Sequence, residues 1–241
     1  MVDACFSLPR LAGVYNALDG DRGDLELYVA VAGEVRARSV LDVGCGTGVL
    51  ACKLARRGLA VTAVDPAQAS VAVAQSKPCA DRVRWLVGTA EVYDGPPVDL
   101  VTMTANVAQV FVSDQDWNTC LSACYASLRP GGWLAFEVRD PQRRAWRDWT
   151  PEHTRRSVPA RAGGRVTAWC EVTEIALPLV SFRWTYLFDI DGAVLTSDST
   201  LRFRGRDELT ESLAANRFAV QSVRDAPDRP GAELVFVARR T

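Results

Sequence analysis

No apolar run in this 241-residue chain approaches the roughly 20 residues needed to cross a bilayer. The opening MVDACFSLPR also lacks the basic-then-apolar order of a signal peptide. A cytoplasmic protein with no membrane partner is therefore expected. Histidine is almost missing, with His153 alone in the chain, and none of the seven scattered cysteines (5, 45, 52, 79, 120, 124 and 170) forms a CxxC pair. The expectation is no metal site and reduced, structural thiols. Excess charge is lacking too: 28 Lys and Arg stand against 29 Asp and Glu, a formal −1. No global positive field gathers RNA or DNA, so nucleic acid is not an expected partner. What remains, 48% hydrophobic and 24% charged residues, is the composition of a globular chain with one sizeable core, which rules out disorder and collagen-like repeats.

From residue 39 short apolar runs alternate with helix-length segments. SVLDV (39–43), LAVTAV (59–64), RVRWLV (82–87), DLVTMT (99–104) and WLAFEV (133–138) read as buried strands. Such alternation implies an α/β fold, a parallel sheet with helices on both faces. Before it, Leu25, Tyr28, Val29, Ala32 and Val35 make one apolar helix face. Trp117, Cys120, Leu121, Cys124, Tyr125 and Leu128 make another, with a capping box at Ser113 and Asp116 and a stop at Pro130-Gly131-Gly132. Cys120 and Cys124 thus read as packed neighbours rather than a redox pair.

Residues 139–165 hold eight arginines against three acids, a local charge of about +5. A hairpin follows, alternating Phe182, Trp184, Tyr186, Phe188 and Ile190 with Arg183, Thr185, Leu187 and Asp189, turning at Asp191-Gly192 and returning through Leu201 and Phe203. A helix near 206–215 with Asn216 in a left-handed cap position, and strands at 218–223 and 233–238, close the chain.

The chemistry begins at Asp42-Val43-Gly44-Cys45-Gly46-Thr47-Gly48, where an apolar strand runs into a glycine turn that opens a helix. A dinucleotide fingerprint needs glycine or alanine at position 49, which is Val49, and a phosphate loop needs Gly-Lys-Ser/Thr, which is absent. Asp42 would repel a phosphate but welcome a cationic amino-acid moiety. Asp65, at the end of the second strand and 17 residues past Gly48, is placed to accept from two ribose hydroxyls. A ligand with ribose, positive charge and no phosphate is S-adenosylmethionine.

These residues resemble the class I S-adenosylmethionine-dependent methyltransferases, whose first motif, Asp/Glu-x-Gly-x-Gly-x-Gly, is matched in full at 42–48. The resemblance covers about residues 25–140, including Asp65 and Leu-Arg-Pro-Gly-Gly at 128–132. It implies a Rossmann-like, seven-stranded, mostly parallel sheet. One domain is expected, divided into a helical N-terminal lid (1–38), a cofactor-binding core (39–138), a basic segment with an antiparallel β insertion (139–204), and a closing helix and strands (205–241). It further implies that Asp42, Gly44, Cys45, Gly46 and Gly48 form the methionine side of the cofactor site, with Asp65 on the ribose and Pro66 on the adenine face. Thr89 stands where many members carry an adenine-binding Asp, with Ala90 and Glu91 beside it, and Thr104 and Asn106 border the methyl group. Residues 104–111 do not match Asn/Asp-Pro-Pro-Tyr/Phe, the motif of enzymes that methylate planar amines of DNA, RNA and glutamine. The whole looks most like the small bacterial methyltransferases of metabolites.

Methyl transfer from a sulfonium is an in-line displacement in which the protein mainly supplies alignment, so an obligatory catalytic residue need not exist. His153 is the one side chain whose unperturbed pKa suits a general base near neutrality, although TPEHTRR also reads as a polar loop. Tyr15 resembles a lid tyrosine that points toward the methyl donor, or packs the lid onto the core. Tyr15, Asn106, Gln109, Arg139, Trp146 and Trp149 are candidates for the substrate, the arginine for an anionic group and the indoles for an apolar part, unless the tryptophans only close the core. The expected protein transfers a methyl group to oxygen, nitrogen or carbon of a small metabolite, as a monomer or homodimer. A cofactor-binding protein that does not methylate, a cyclase or a regulatory partner, is the alternative; an RNA methyltransferase rests only on the arginine cluster.

Overall fold

A computed structural model describes residues 2–20, 22–160 and 163–241; Arg161 of the basic segment lies outside them. Three helices come first: α1 (Ala4–Ser7), α2 (Pro9–Asp19) and α3 (Leu25–Glu34). The α/β unit follows as β1 (Ser39–Val43), α4 (Val49–Ala55), β2 (Ala60–Asp65), α5 (Gln68–Gln75), β3 (Val83–Val87), β4 (Val98–Met103), α6 (Asp114–Ser127) and β5 (Leu128–Arg139). Then come α7 (Pro151–Thr154), β6 (Arg156–Pro159), β7 (Arg165–Ala176), β8 (Leu179–Phe188), β9 (Val194–Arg202), α8 (Arg206–Ala215), β10 (Phe218–Asp225) and β11 (Glu233–Arg240).

The strands form a seven-stranded sheet in the order β10-β11-β5-β4-β1-β2-β3, parallel from β5 to β3 and antiparallel at β10 and β11, and a four-stranded antiparallel sheet β6-β7-β8-β9. The first matches the expected Rossmann-like topology. Its central strands, β1, β4 and the second half of β5, are buried on both faces, which is why they read as continuous apolar runs. Leu41, Val101, Leu134 and Phe136 meet Trp117 and Leu121 of α6 and Leu209 and Leu213 of α8 on one face. Val40, Leu100, Ala135 and Val237 meet Leu25, Tyr28 and Val31 of α3 and Leu50 and Leu54 of α4 on the other. Strand order reverses between β1 and β4, and ligands of open α/β sheets bind at the carboxyl ends of strands at such a reversal.

The small sheet joins the N-terminal helices: Leu11, Val14 and Leu18 of α2 bury against Val166, Ala168, Tyr186 and Phe188. Beyond β9, Arg204 is buried and donates to the carbonyls of Phe111 (2.8 Å) and Ser113 (3.2 Å), tying the small sheet to the start of α6. Among the described residues no helix is long and apolar enough to cross a membrane.

Three local expectations are corrected. β5 begins at Leu128, so Pro130-Gly131-Gly132 lies inside the strand, where the register against β4 slips between Val98 and Leu100; a bulge accommodates residues that regular pairing would reject. At the end of α8 the left-handed residue is Arg217 (φ 62°), because Asn216 itself caps the helix with its N–H on Ser212 and Leu213 carbonyls. Cys52 and Cys79 are not free thiols but a disulfide, their Cα atoms 5.6 Å apart across 27 residues. Sequence spacing says nothing of two cysteines that α4 and the turn after α5 bring together. Cys120 and Cys124 are buried and free, as expected.

Candidate active site

At the end of β1 the chain turns back on β2, with the N–H groups of Gly44 (2.8 Å) and Cys45 (3.1 Å) on the Val64 carbonyl. Two glycines there do different work. Gly48 has φ 73° and a Cβ on it would overlap the Trp85 ring, so the helix can start only if this position is bare. Gly46 has φ 51°, yet a Cβ on it would meet nothing within 4 Å. Its bare face opens on the crevice.

Asp65 braces this turn. Its Oδ2 accepts from Gly46 N (2.8 Å) and its Oδ1 from Ala67 N (2.8 Å), which leaves each oxygen a further lone pair for a ligand hydroxyl. Burial raises its pKa, opposed by the two backbone bonds. Asp42 is fully buried, with Oδ1 accepting from Thr102 Oγ1 (2.8 Å) and Oδ2 without a partner. Burial, against the Thr102 bond, pushes its pKa up to about 7. A buried carboxyl poised near neutrality on the strand that leads into the glycine turn fits a cationic ligand better than a phosphate, which is the fit S-adenosylmethionine requires.

The N-terminal helices reach the same turn. Thr47 Oγ1 donates to Asn16 Oδ1 of α2 at 2.5 Å, and Arg22, held by Asp19 (3.0 Å) and Asp24 (2.8 Å), lies close enough to influence Asp42, Glu137 and Tyr15. A cavity of about 380 Å³ opens between the α2–α3 turn and α4, lined by Asn16, Arg22, Val49 and Lys53 among others.

Strand register sets the other half. Asp42 pairs with Thr102, Thr102 with Ala135, and Arg139 with Glu233, so Asp42, Thr102, Glu137, Arg139 and Glu233 share the face toward α3. After β4, Ala105 (φ 57°) and Asn106 (φ 61°) are consecutive left-handed residues. Asn106 N donates to Glu137 Oε1 (3.0 Å) and Nδ2 to Glu233 Oε1 (3.2 Å), which Arg229 also holds (2.8 Å). Asn106 Oδ1 and Glu137 Oε2 are buried without partners. Thr104 is buried beside them in sequence.

The structure brings Tyr15 and Arg139 together: each perturbs the other's ionisation, burial raising the tyrosine's pKa and lowering the arginine's. Arg139 makes no salt bridge among the described residues; its guanidinium donates to Gln109 Oε1 (3.3 Å) and lies 5.5 Å from the Trp149 ring centroid. Gln109 is fully buried, and its other end donates to the Arg202 carbonyl (3.4 Å). Trp149 is half-buried against Phe182, whereas Trp146 is buried edge-on to Phe203. Thr89 is exposed and donates to Glu91 Oε2 (3.2 Å), Ala90 is buried, and Pro66 is exposed after Asp65. His153 is exposed on α7, its ring nitrogen 3.3 Å from Thr150 Oγ1 within the same turn.

Asn16, Arg22, Thr102, Glu137 and Glu233 escape sequence reasoning. Only Glu137 leaves a signal, a charged residue inside the apolar run WLAFEV.

Residues 40–132 match the family described as a methyltransferase domain. Over 128 residues the chain is 34% identical to a ubiquinone biosynthesis O-methyltransferase of Bordetella avium, an alignment covering 49% of this chain and 50% of that one. The chain thus spans about half the length of the curated relative it matches. In shape it is similar to a S-adenosylmethionine-dependent methyltransferase from Clostridium acetobutylicum, with a TM-score of 0.73 at 16% identity over 92% of this chain and 93% of that one. It is also similar to an amino pentose methyltransferase from Micromonospora echinaspora with S-adenosylmethionine bound, TM-score 0.71 at 24% identity over 95% and 97%.

Proposed function

We propose that this chain, whose residues 40–132 match a methyltransferase domain, is a class I S-adenosylmethionine-dependent methyltransferase that transfers the methyl group to a small metabolite. The observation that carries this reading is the braced turn: Asp65 holds Gly46, whose bare face lies open, and buried Asp42, on the strand that leads into the turn, keeps Oδ2 without a partner. When bound, the cofactor supplies a methyl group on a sulfonium leaving group. Asp42, Gly44, Cys45, Gly46 and Gly48 hold its methionine end, Asp65 its ribose and Pro66 its adenine, with Thr89, Ala90 and Glu91 along the adenine edge. Thr104 and Asn106 border the methyl.

On the substrate side Arg139 offers a guanidinium fork that no carboxylate occupies, over an indole and beside Tyr15. We read this as a seat for a substrate with an anionic group and an apolar part. The arginine cluster then serves that anion rather than RNA. Exposed His153 takes no part in the chemistry. The protein works in the cytoplasm as a monomer or homodimer, as one domain whose lid, basic segment and small sheet choose the substrate.

Calorimetric titration with S-adenosylmethionine tests the reading. Wild-type protein binds one equivalent, and Asp65→Ala, which strips the acceptors from Gly46 N and the ribose, weakens binding about 100-fold, by the roughly 1.5–3 kcal/mol typical of each hydrogen bond to a charged group. Absence of binding, or binding indifferent to the substitution, overturns it.

A further inference from the structure

Two buried carboxyl oxygens at the carboxyl ends of the strands lack a partner among the described residues, Asp42 Oδ2 and Glu137 Oε2. The cofactor reading employs the first; nothing yet employs the second. Glu137 stands two residues before the end of β5 and, by register, on the same sheet face as Asp42. Its Oε1 takes the N–H of Asn106 at 3.0 Å and so pins a turn whose two left-handed residues, Ala105 and Asn106, are not glycine. That bond fixes the carboxyl's orientation and leaves Oε2 as its one free atom. The groups facing it are Glu233 on β11, Asp24 and Arg22 at the lid turn, and Arg139 farther along β5. Burial, with Glu233 and Asp24 adding to it and Asn106 N–H and Arg22 opposing, pushes its pKa up to about 8. Near neutrality the carboxyl holds a proton that a nearby cation can expel.

Charge balance gives such a group a task. When the methyl carbon–sulfur bond breaks, sulfur keeps the electron pair and loses its positive charge. The new bond to a neutral nitrogen or oxygen places that charge on the acceptor, which sheds its N–H or O–H proton. We propose that Glu137 Oε2 receives this proton. The proposal rests on the methyltransferase reading and gives its reaction a proton acceptor. Glu137 must be ionised beforehand, so arrival of the sulfonium expels its proton to solvent and the acceptor later restores it.

Proton release on cofactor binding tests this without knowledge of the acceptor. S-adenosylmethionine and S-adenosylhomocysteine share every other ionisable group and differ in the sulfonium charge. Titration calorimetry at pH 7 in two buffers of different ionisation heat counts the protons released. The wild type releases more with S-adenosylmethionine than with S-adenosylhomocysteine, by on the order of half a proton. Glu137→Gln, which keeps an acceptor for Asn106 N–H, binds both ligands and abolishes the difference. Equal counts in the wild type overturn the proposal, and this comparison stands even where the variant fails to fold. A difference that survives Glu137→Gln overturns it too, by assigning the proton to Asp42. Failure of the wild type to bind either ligand contradicts the methyltransferase reading instead.

Discussion

The two halves of the crevice are built on different principles. On the β1–β2 side the proposed cofactor site is largely backbone: a glycine turn anchored to the Val64 carbonyl and braced by the Asp65 carboxylate, all within residues 42–67. The proposed substrate side at β5–β11 is made of side chains delivered from far apart in the chain, Tyr15 from α2, Asn106 after β4, Arg139 from β5, Glu233 from β11 and Trp149 from the basic segment. Backbone recognition suits a ligand that does not change. Side-chain recognition can be altered one residue at a time without disturbing the sheet.

Substitutions on the two sides should therefore fail in different ways. Gly48→Ala has the largest effect: left-handed strain of about 1–2 kcal/mol and overlap with Trp85 worth about 1–3 kcal/mol lower the melting temperature by roughly 5–15 °C in a thermal scan. Gly46→Ala sharpens the contrast, because its Cβ has open space; stability falls only by the left-handed strain of about 1–2 kcal/mol, while cofactor affinity in a titration drops more than about tenfold. Across the crevice, Arg139→Gln raises the KM for the acceptor about 10–100-fold, the worth of a bidentate charged contact, and leaves the cofactor Kd within about twofold. Loss of cofactor affinity on that change would erase the distinction between the halves. Smallest of all, His153→Gln leaves kcat within about twofold, since the ring is exposed and bonded within its own turn.

The same difference explains what could be read beforehand. β1 to β4 lie within one residue of the apolar runs, and the glycine turn and Asp65 are legible because 17 residues of strand and helix force them together. Glu137 and Glu233 meet only through antiparallel pairing of β5 with β11, 96 residues on, which no local pattern encodes. His153 stands out by its chemistry alone, and its position is not legible beforehand: α7 carries it exposed, with its ring bonded within its own turn. Gln109 reads as a substrate contact by its place after β4; its amide oxygen accepts from Arg139 and its nitrogen donates to the Arg202 carbonyl, partners that no local pattern encodes. The bulge that draws Pro130-Gly132 into β5 is likewise a property of the pair, not of the segment.

One experiment reaches the central claim directly. The protein is incubated with S-adenosylmethionine carrying a deuterated methyl group and an extract of small metabolites, and the products are followed by mass spectrometry. The account predicts that a small anionic compound gains one intact labelled methyl while S-adenosylhomocysteine accumulates in equal amount. Cofactor that binds but yields neither labelled product nor S-adenosylhomocysteine would contradict it.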